Sequence, residues 1–152
     1  MKKSERILVI DDDESVRKVL STALEMKGYV VDTAQKGEEA AEKTREQSYD
    51  LALIDIRLPD MEGTKLLAAM KETTPRMMKI IVTGYPSLQN AIEAVNKGAD
   101  GYVVKPLDME KLLKTIEEHL KKHREELKYS EEKVTEFIET RAREVEPTRA
   151  RK

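Results

Sequence analysis

The chain has 152 residues, a length that fits one compact domain with some residues to spare. Its 28 lysines and arginines nearly balance its 30 aspartates and glutamates, so no overall basic field favours nucleic acid or an anionic membrane. The longest apolar run, Leu66 to Met70, is far too short to cross a bilayer. The absence of cysteine excludes disulfides, thiolate metal sites and a cysteine nucleophile. We therefore expect a soluble, cytoplasmic protein with no membrane partner.

The charge composition changes near residue 120. Residues 1–120 hold 18 basic and 22 acidic residues, whereas residues 121–152 hold 10 basic and 8 acidic residues. A segment as polar as the second one does not bury much of its own surface. We expect residues 1–120 to form one domain and residues 121–152 to form a charged helical extension, a coiled coil or linker with a disordered end.

Short runs of branched apolar residues alternate with amphipathic stretches through the first 120 residues. Apolar residues at helical spacing fill the stretches between these runs. The alternation predicts an α/β fold, a doubly wound (βα)5 parallel sheet in the flavodoxin-like order 2-1-3-4-5, with an extended C-terminal helix. The runs predict buried strands at Arg6–Ile10, Tyr29–Thr33, Leu51–Asp55, Lys79–Thr83 and Gly101–Val104.

Polar side chains follow the predicted strands where functional residues of such folds lie, at the carboxyl ends. They are Asp11, Asp12 and Asp13 after the first strand, Asp55 ending the third, Thr83 ending the fourth, and Lys105 with Pro106 after the fifth. Any one aspartate could be a helix cap. Several carboxylates at one edge instead favour a hard divalent cation such as Mg²⁺, because the cation relieves their repulsion.

Phosphoryl transfer uses this combination of groups, because its transition state mainly requires positioning and neutralisation of charge. Asp55 would be the nucleophile that forms an aspartyl phosphate. Lys105 would place a positive charge beside the phosphoryl oxygens, and Thr83 would offer a hydroxyl donor.

At these residues the sequence resembles the receiver domain of two-component response regulators, over about residues 5–120. The resemblance implies that Asp55 accepts a phosphoryl group from a sensor histidine kinase, and that Asp11, Asp12, Asp55 and the backbone carbonyl of Arg57 hold Mg²⁺. It also implies a cis peptide bond between Lys105 and Pro106. Four sequence blocks carry the resemblance: Ile7–Asp13, Leu53–Gly63, Ile81–Gly84 and Gly101–Pro106.

The same resemblance implies a conformational switch that controls a downstream protein, not an enzymatic reaction. Thr83 would turn its hydroxyl to the phosphoryl group while the aromatic ring of Tyr102 turns inward. Gly84 matches the small residue that the family requires beside the phosphoryl group. By residue type alone, Tyr102 is an ordinary strand aromatic.

Two large side chains, Arg57 and Tyr85, are expected to overhang the site. We hypothesise that they obstruct in-line attack by water and lengthen the lifetime of the phosphoryl group. The alternative is that they are exposed loop residues without functional effect.

The last helix is predicted to continue far past the domain, because no Gly or Pro occurs from Met109 to Val145. Three alternatives stay open for the extension: a parallel helical homodimer contact, a solvated linker, and folding back onto the domain. It is too short for an ordinary DNA-binding module, so no direct nucleic-acid partner is expected. Heptad spacing is followed by Leu113, Ile116, Leu120, Leu127, Val134 and Phe137, and interrupted by His123, Ser130 and Arg141.

Two alternative functions remain. A receiver-like interaction scaffold that is never phosphorylated would usually lack the acceptor, the acid pair or the lysine, and this sequence keeps all of them. A Mg²⁺-dependent phosphatase with an aspartate nucleophile would need an acid/base aspartate two residues after it. Arg57 occupies that position, so the phosphatase is disfavoured.

Overall fold

The structure is a computed structural model that describes residues 4–70 and 76–150, with side chains described through Arg141. Its contacts divide the chain into two units, Met1–Leu120 and Lys121–Lys152. The described elements are, in chain order, β1 (Arg6–Ile10), α1 (Glu14–Met26), β2 (Val30–Ala34), α2 (Gly37–Glu46), β3 (Leu51–Asp55), α3 (Gly63–Ala69), β4 (Met78–Thr83), α4 (Leu88–Asn96), β5 (Gly101–Val104) and α5 (Met109–Ala150).

The strands pair in parallel in the order β2-β1-β3-β4-β5. The predicted α/β fold, its strand order and the extended last helix are therefore confirmed. The boundaries of two strands differ: β2 is Val30–Ala34 and not Tyr29–Thr33, and β4 begins at Met78 and not at Lys79. The backbone N–H of Tyr29 is still bound to the carbonyl of Leu24, in a helix-ending turn that places Gly28 at a φ of 93°.

Both faces of the sheet are covered, which explains why the strands read as continuous apolar runs. Alternate residues of β3 point to opposite layers: Ala52 and Ile54 join the core beside α2, α3 and α4, whereas Leu51 and Leu53 join the core beside α1 and α5. β3 and β4 are buried along their whole length. Because all strands run parallel, their carboxyl ends lie at one edge of the sheet.

The second unit is the continuation of α5, which is helical as far as Ala150. Four of its apolar side chains are between 59% and 62% exposed: Tyr129, Val134, Phe137 and Ile138. The expected disorder at the chain end partly concerns residues 151 and 152, which lie outside the described residues, and it stays a prediction.

Among the described residues, no helix is long and apolar enough to span a membrane.

Candidate functional site

The carboxyl edge of the sheet brings together the polar residues that the sequence placed at its strand ends. Asp11 follows β1, Asp55 ends β3, Thr83 ends β4 and Lys105 follows β5. Asp11, Asp55 and Thr83 are buried, whereas Asp12 is exposed. The topology alone assembles these residues, since Asp11 and Lys105 are 94 positions apart in the chain.

The carboxylates of Asp11, Asp12 and Asp55 form the acid cluster of the site. One oxygen from each lies within 4.8 Å of the others. Burial raises the pKa of Asp55, and the neighbouring charge of Asp11 raises it further. The backbone N–H of Arg57 and the charge of Lys105 lower this pKa, but the upward effects are larger. Negative charge is thus only partly compensated here. An all-oxygen donor set of this kind fits Mg²⁺.

Lys105 is the cation that faces this cluster. Its Nζ lies 3.0 Å from Asp11 Oδ2 and 3.5 Å from Asp55 Oδ2. Burial lowers the pKa of Lys105. The hydrogen bond to Asp11 and the charges of Asp11 and Asp55 raise it by more, so the pKa of Lys105 lies above its ordinary value. Lys105 is therefore a cation at neutral pH. The Lys105–Pro106 peptide bond is cis, which confirms that prediction.

Asp13 has a different role from the other two aspartates of its run. Its Oδ1 accepts hydrogen bonds from the backbone N–H groups of Ser15, at 2.8 Å, and Val16, at 3.3 Å. It is the N-cap of α1. Arg17 follows in the same helix, and its Nη1 donates to the backbone carbonyl of Asp11 at 2.7 Å. This contact of Arg17 was not predicted from the sequence, and the position of Arg17 one turn after the cap is the signal that indicates it.

Thr83 is fully buried, and its Oγ1 accepts a hydrogen bond from the backbone N–H of Tyr85 at 2.9 Å. The hydroxyl hydrogen can still be donated to another acceptor. A Cβ added at Gly84 would meet only the side chain of Lys105, at 3.9 Å. Protein packing therefore does not demand glycine at position 84, and its predicted role beside a phosphoryl group stays a prediction.

Tyr102 lies on β5 and packs against the core beside α2, α3 and α4. Its hydroxyl is buried and has no hydrogen-bond partner among the described residues. The side chain is half-buried against this core, and the switch predicted for Tyr102 stays a prediction.

Arg57 and Tyr85, predicted separately to overhang the site, contact each other. The guanidinium carbon of Arg57 lies 3.9 Å from the centroid of the Tyr85 ring, a cation–π contact. The backbone N–H of Arg57 also donates to Asp55 Oδ1 at 3.3 Å. The two side chains form a pair between the loops that follow β3 and β4, a pairing that neither local sequence reveals.

The loop after β3 requires glycine where α3 begins. A Cβ added at Gly63 would lie 2.4 Å from the backbone oxygen of Asp55. The N–H of Gly63 donates to the carbonyl of Ile56 at 2.7 Å. Glycine therefore lets the helix start directly against the backbone of the acidic strand end.

This fold and edge define a class of protein: a doubly wound domain with an acid cluster, a lysine and a hydroxyl at the carboxyl ends of its strands. The family model for the response regulator receiver domain matches residues 7–117. The chain belongs to this family, whose members are signalling domains of two-component systems that are phosphorylated on aspartate.

Individual members of this family are similar to the chain in sequence and in structure. The transcriptional regulatory protein ZraR of Klebsiella oxytoca is 43% identical over 114 residues, which cover 75% of this chain and 26% of that protein. A CheY-like receiver domain from Methanospirillum hungatei JF-1 is 43% identical with a TM-score of 0.78, over 82% of this chain and 99% of the other. A Burkholderia pseudomallei response regulator, solved with a phosphorylated aspartic acid, calcium ion and citrate, is 30% identical with a TM-score of 0.71 over 81% and 72%. The chain spans about a quarter of the length of the curated relatives it matches.

Proposed function

We propose that Asp55 accepts a phosphoryl group from a phosphohistidine of a sensor histidine kinase, and that Mg²⁺ is required. The carboxylates of Asp11, Asp12 and Asp55 and the backbone carbonyl of Arg57 would hold the ion. One observation carries the proposal: three carboxylate oxygens lie within 4.8 Å of one another, and the ammonium of Lys105 lies beside two of these carboxylates, Asp11 and Asp55. The structure of the Burkholderia relative, which contains a phosphorylated aspartic acid, supports it.

In the transfer step, a carboxylate oxygen of Asp55 attacks phosphorus and forms a P–O bond. The P–N bond to the donor breaks, and its electron pair remains on the donor imidazole. Lys105 compensates negative charge on the phosphoryl oxygens. When bound, Mg²⁺ supplies further neutralisation of the phosphoryl oxygens and the carboxylates.

The switch would begin at Thr83. Its hydroxyl now accepts the N–H of Tyr85, so donation of its hydrogen to a phosphoryl oxygen would draw the β4–α4 loop toward Asp55. Tyr102 would then fix the changed loop from the inward position. We propose that this change controls an unidentified downstream protein partner in the cytoplasm, without direct contact to nucleic acid.

The Arg57–Tyr85 pair is proposed to lengthen the phosphoryl lifetime by obstructing in-line approach of water to Asp55, because the pair joins the loops that follow β3 and β4. Replacing both residues by Ala is expected to speed the loss of phosphate severalfold, because water then reaches the phosphoryl group more easily. The decay of the aspartyl phosphate is followed by intact mass after removal of the donor. Loss of phosphate no faster than in the wild type would remove the idea.

The extension is proposed to form a homodimer contact through α5. Its four exposed apolar side chains, Tyr129, Val134, Phe137 and Ile138, favour a helical partner over solvent. Light scattering after size exclusion is expected to give a dimer for the full chain and a monomer for residues 1–121. A monomeric full chain would favour the linker or fold-back alternatives.

Incubation with acetyl phosphate and Mg²⁺, read by intact mass, tests the phosphoacceptor function. The wild type is expected to gain one phosphoryl group, and Asp55→Asn none. An unmodified wild type would favour the interaction scaffold. Continuous hydrolysis of acetyl phosphate over many turnovers would favour the phosphatase.

A further inference from the structure

The helix α2 is capped by a residue from another part of the chain. Its own N-cap residue, Lys36, contributes no side-chain cap hydrogen bond. Instead, Asp60 accepts the N–H of Gly37 on Oδ1 at 2.8 Å and the N–H of Glu38 on Oδ2 at 2.9 Å. The first N–H groups of a helix need acceptors from outside its hydrogen-bond ladder, and negative charge is favourable at this end of a helix. Asp60 supplies both acceptor oxygens, although it lies 22 residues after Glu38 in the chain.

A second contact joins the same two segments. Met61 follows Asp60, and a Cβ added at Gly37 would lie 2.5 Å from Met61 Sδ. The thioether therefore packs where Gly37 has no side chain. The two N–H groups also lower the pKa of Asp60, so its carboxylate is ionised at neutral pH. A polar and an apolar contact together hold the tip of the β3–α3 loop against the start of α2.

The loop that is held in this way carries Arg57. On one side of Arg57, the carbonyl of Ile56 accepts the N–H of Gly63 at 2.7 Å. On the other side, the N–H of Leu58 donates to the carbonyl of Met61 at 3.1 Å. Arg57 thus lies between two hydrogen bonds that close the loop, and Asp60 fixes the tip of that loop.

We infer that Asp60 is a positioning residue for the cation site, because it anchors the loop whose backbone at Arg57 would contribute a ligand. This inference rests on the proposed function. A residue that only caps α2 would stabilise the fold without affecting cation affinity. Removal of a group that is hydrogen-bonded directly to a metal ligand typically weakens metal affinity about tenfold or more. Asp60 acts through the loop backbone, so about tenfold is the upper end of its expected effect, and the two roles are separable by measurement.

The experiment uses the full chain and Mg²⁺ alone as the probe, with affinity measured by following amide resonances of the site in a Mg²⁺ titration. Three variants are compared with the wild type: Asp60→Ala, Asp60→Asn and Asp50→Ala. Asp60→Asn keeps one side-chain acceptor. Asp50→Ala is the matched control, because that carboxylate accepts the backbone N–H of Arg6 at 2.8 Å, at the opposite edge of the sheet.

Asp60→Ala is expected to bind Mg²⁺ about three- to tenfold more weakly, with Asp60→Asn between it and the wild type. Asp50→Ala should bind within twofold of the wild type, however much it lowers the melting temperature. Hydrogen exchange of the Gly63 amide should also accelerate in Asp60→Ala, as its loop is released.

The outcomes separate this inference from the proposed function. A wild type that binds Mg²⁺ and an Asp60→Ala variant that binds it within twofold would overturn the positioning role and leave the site intact. A wild type that binds no Mg²⁺ would overturn both. Equal weakening in Asp60→Ala and Asp50→Ala would show a general loss of stability and would also overturn the inference.

Discussion

Aspartates and basic residues lie at both edges of the central sheet, but their charges are balanced differently at the two edges. At the amino edge, Asp100 accepts the backbone N–H of Lys79 at 2.9 Å on one oxygen and pairs with Arg76 through the other. At the carboxyl edge, the oxygens of Asp11 and Asp55 face each other and share Lys105. The charge of Asp100 is paired with an arginine, whereas Asp11 and Asp55 share one lysine, although their oxygens also accept backbone N–H groups. Crowded carboxylates lower the stability of a fold. Their presence therefore indicates a site that binds a cation or a substrate.

Two lysines, the half-buried Lys105 and the buried Lys79, give the sharpest form of this comparison. Lys105 faces the acid cluster, whereas Lys79 is fully buried in β4. Lys105→Met is expected to slow phosphorylation from acetyl phosphate about a hundredfold, because one donor to the developing charge is lost. Lys79→Met should leave the rate unchanged. Similar rate losses in both variants, measured by intact mass against time, would contradict the functional difference between the edges.

Removing one acidic charge from each edge should shift stability in opposite directions. Without Mg²⁺ at neutral pH, Asp55→Asn is expected to raise the free energy of unfolding by about 1 to 3 kcal/mol, because it relieves burial and repulsion by Asp11. Asp100→Asn is expected to lower it by about 1 kcal/mol, because an ionic partner of Arg76 is lost.

The pH dependence of the Asp55→Asn effect follows from the raised pKa of Asp55. The wild type is destabilised fully above the folded-state pKa, where Asp55 is ionised. The destabilisation disappears as the pH falls through that value and below the ordinary pKa of 3.8. Denaturant unfolding at several pH values should show the gain from Asp55→Asn shrinking in acid. A constant or growing gain would contradict the assignment.

A smaller effect is expected from removing the charge of Lys79. Burial lowers the pKa of Lys79, with the charge of Arg76 acting in the same direction and Asp100 opposing. Lys79→Met should therefore stabilise the protein by about 1 kcal/mol at neutral pH. The gain should shrink as the pH rises through the lowered folded-state pKa and disappear above the ordinary lysine pKa of 10.5, where the amine is neutral in both states. A loss of stability in thermal unfolding at neutral pH would contradict this.

The sequence predicted the sheet and which residues lie at its carboxyl edge. Apolar runs indicate the strands, and parallel strands bring their carboxyl ends together. It also allowed a helix-cap role for an aspartate of the first run, which Asp13 fills. It could not predict the cation–π pair of Arg57 and Tyr85 or the cap that Asp60 provides. Those contacts join segments that are more than 20 residues apart and depend on how two loops meet in space. The sequence around each of these residues does not show which loops will contact each other.

The most direct test of the central claim is to trap the phosphorylated protein with borohydride, which reduces an acyl phosphate to an alcohol. After reaction with acetyl phosphate and Mg²⁺, peptide mass spectrometry should find homoserine at position 55 and at no other aspartate. The modification should be absent when Mg²⁺ is chelated. Homoserine at Asp11 or Asp12, or none at position 55 in a protein that has gained a phosphoryl group, would contradict the account.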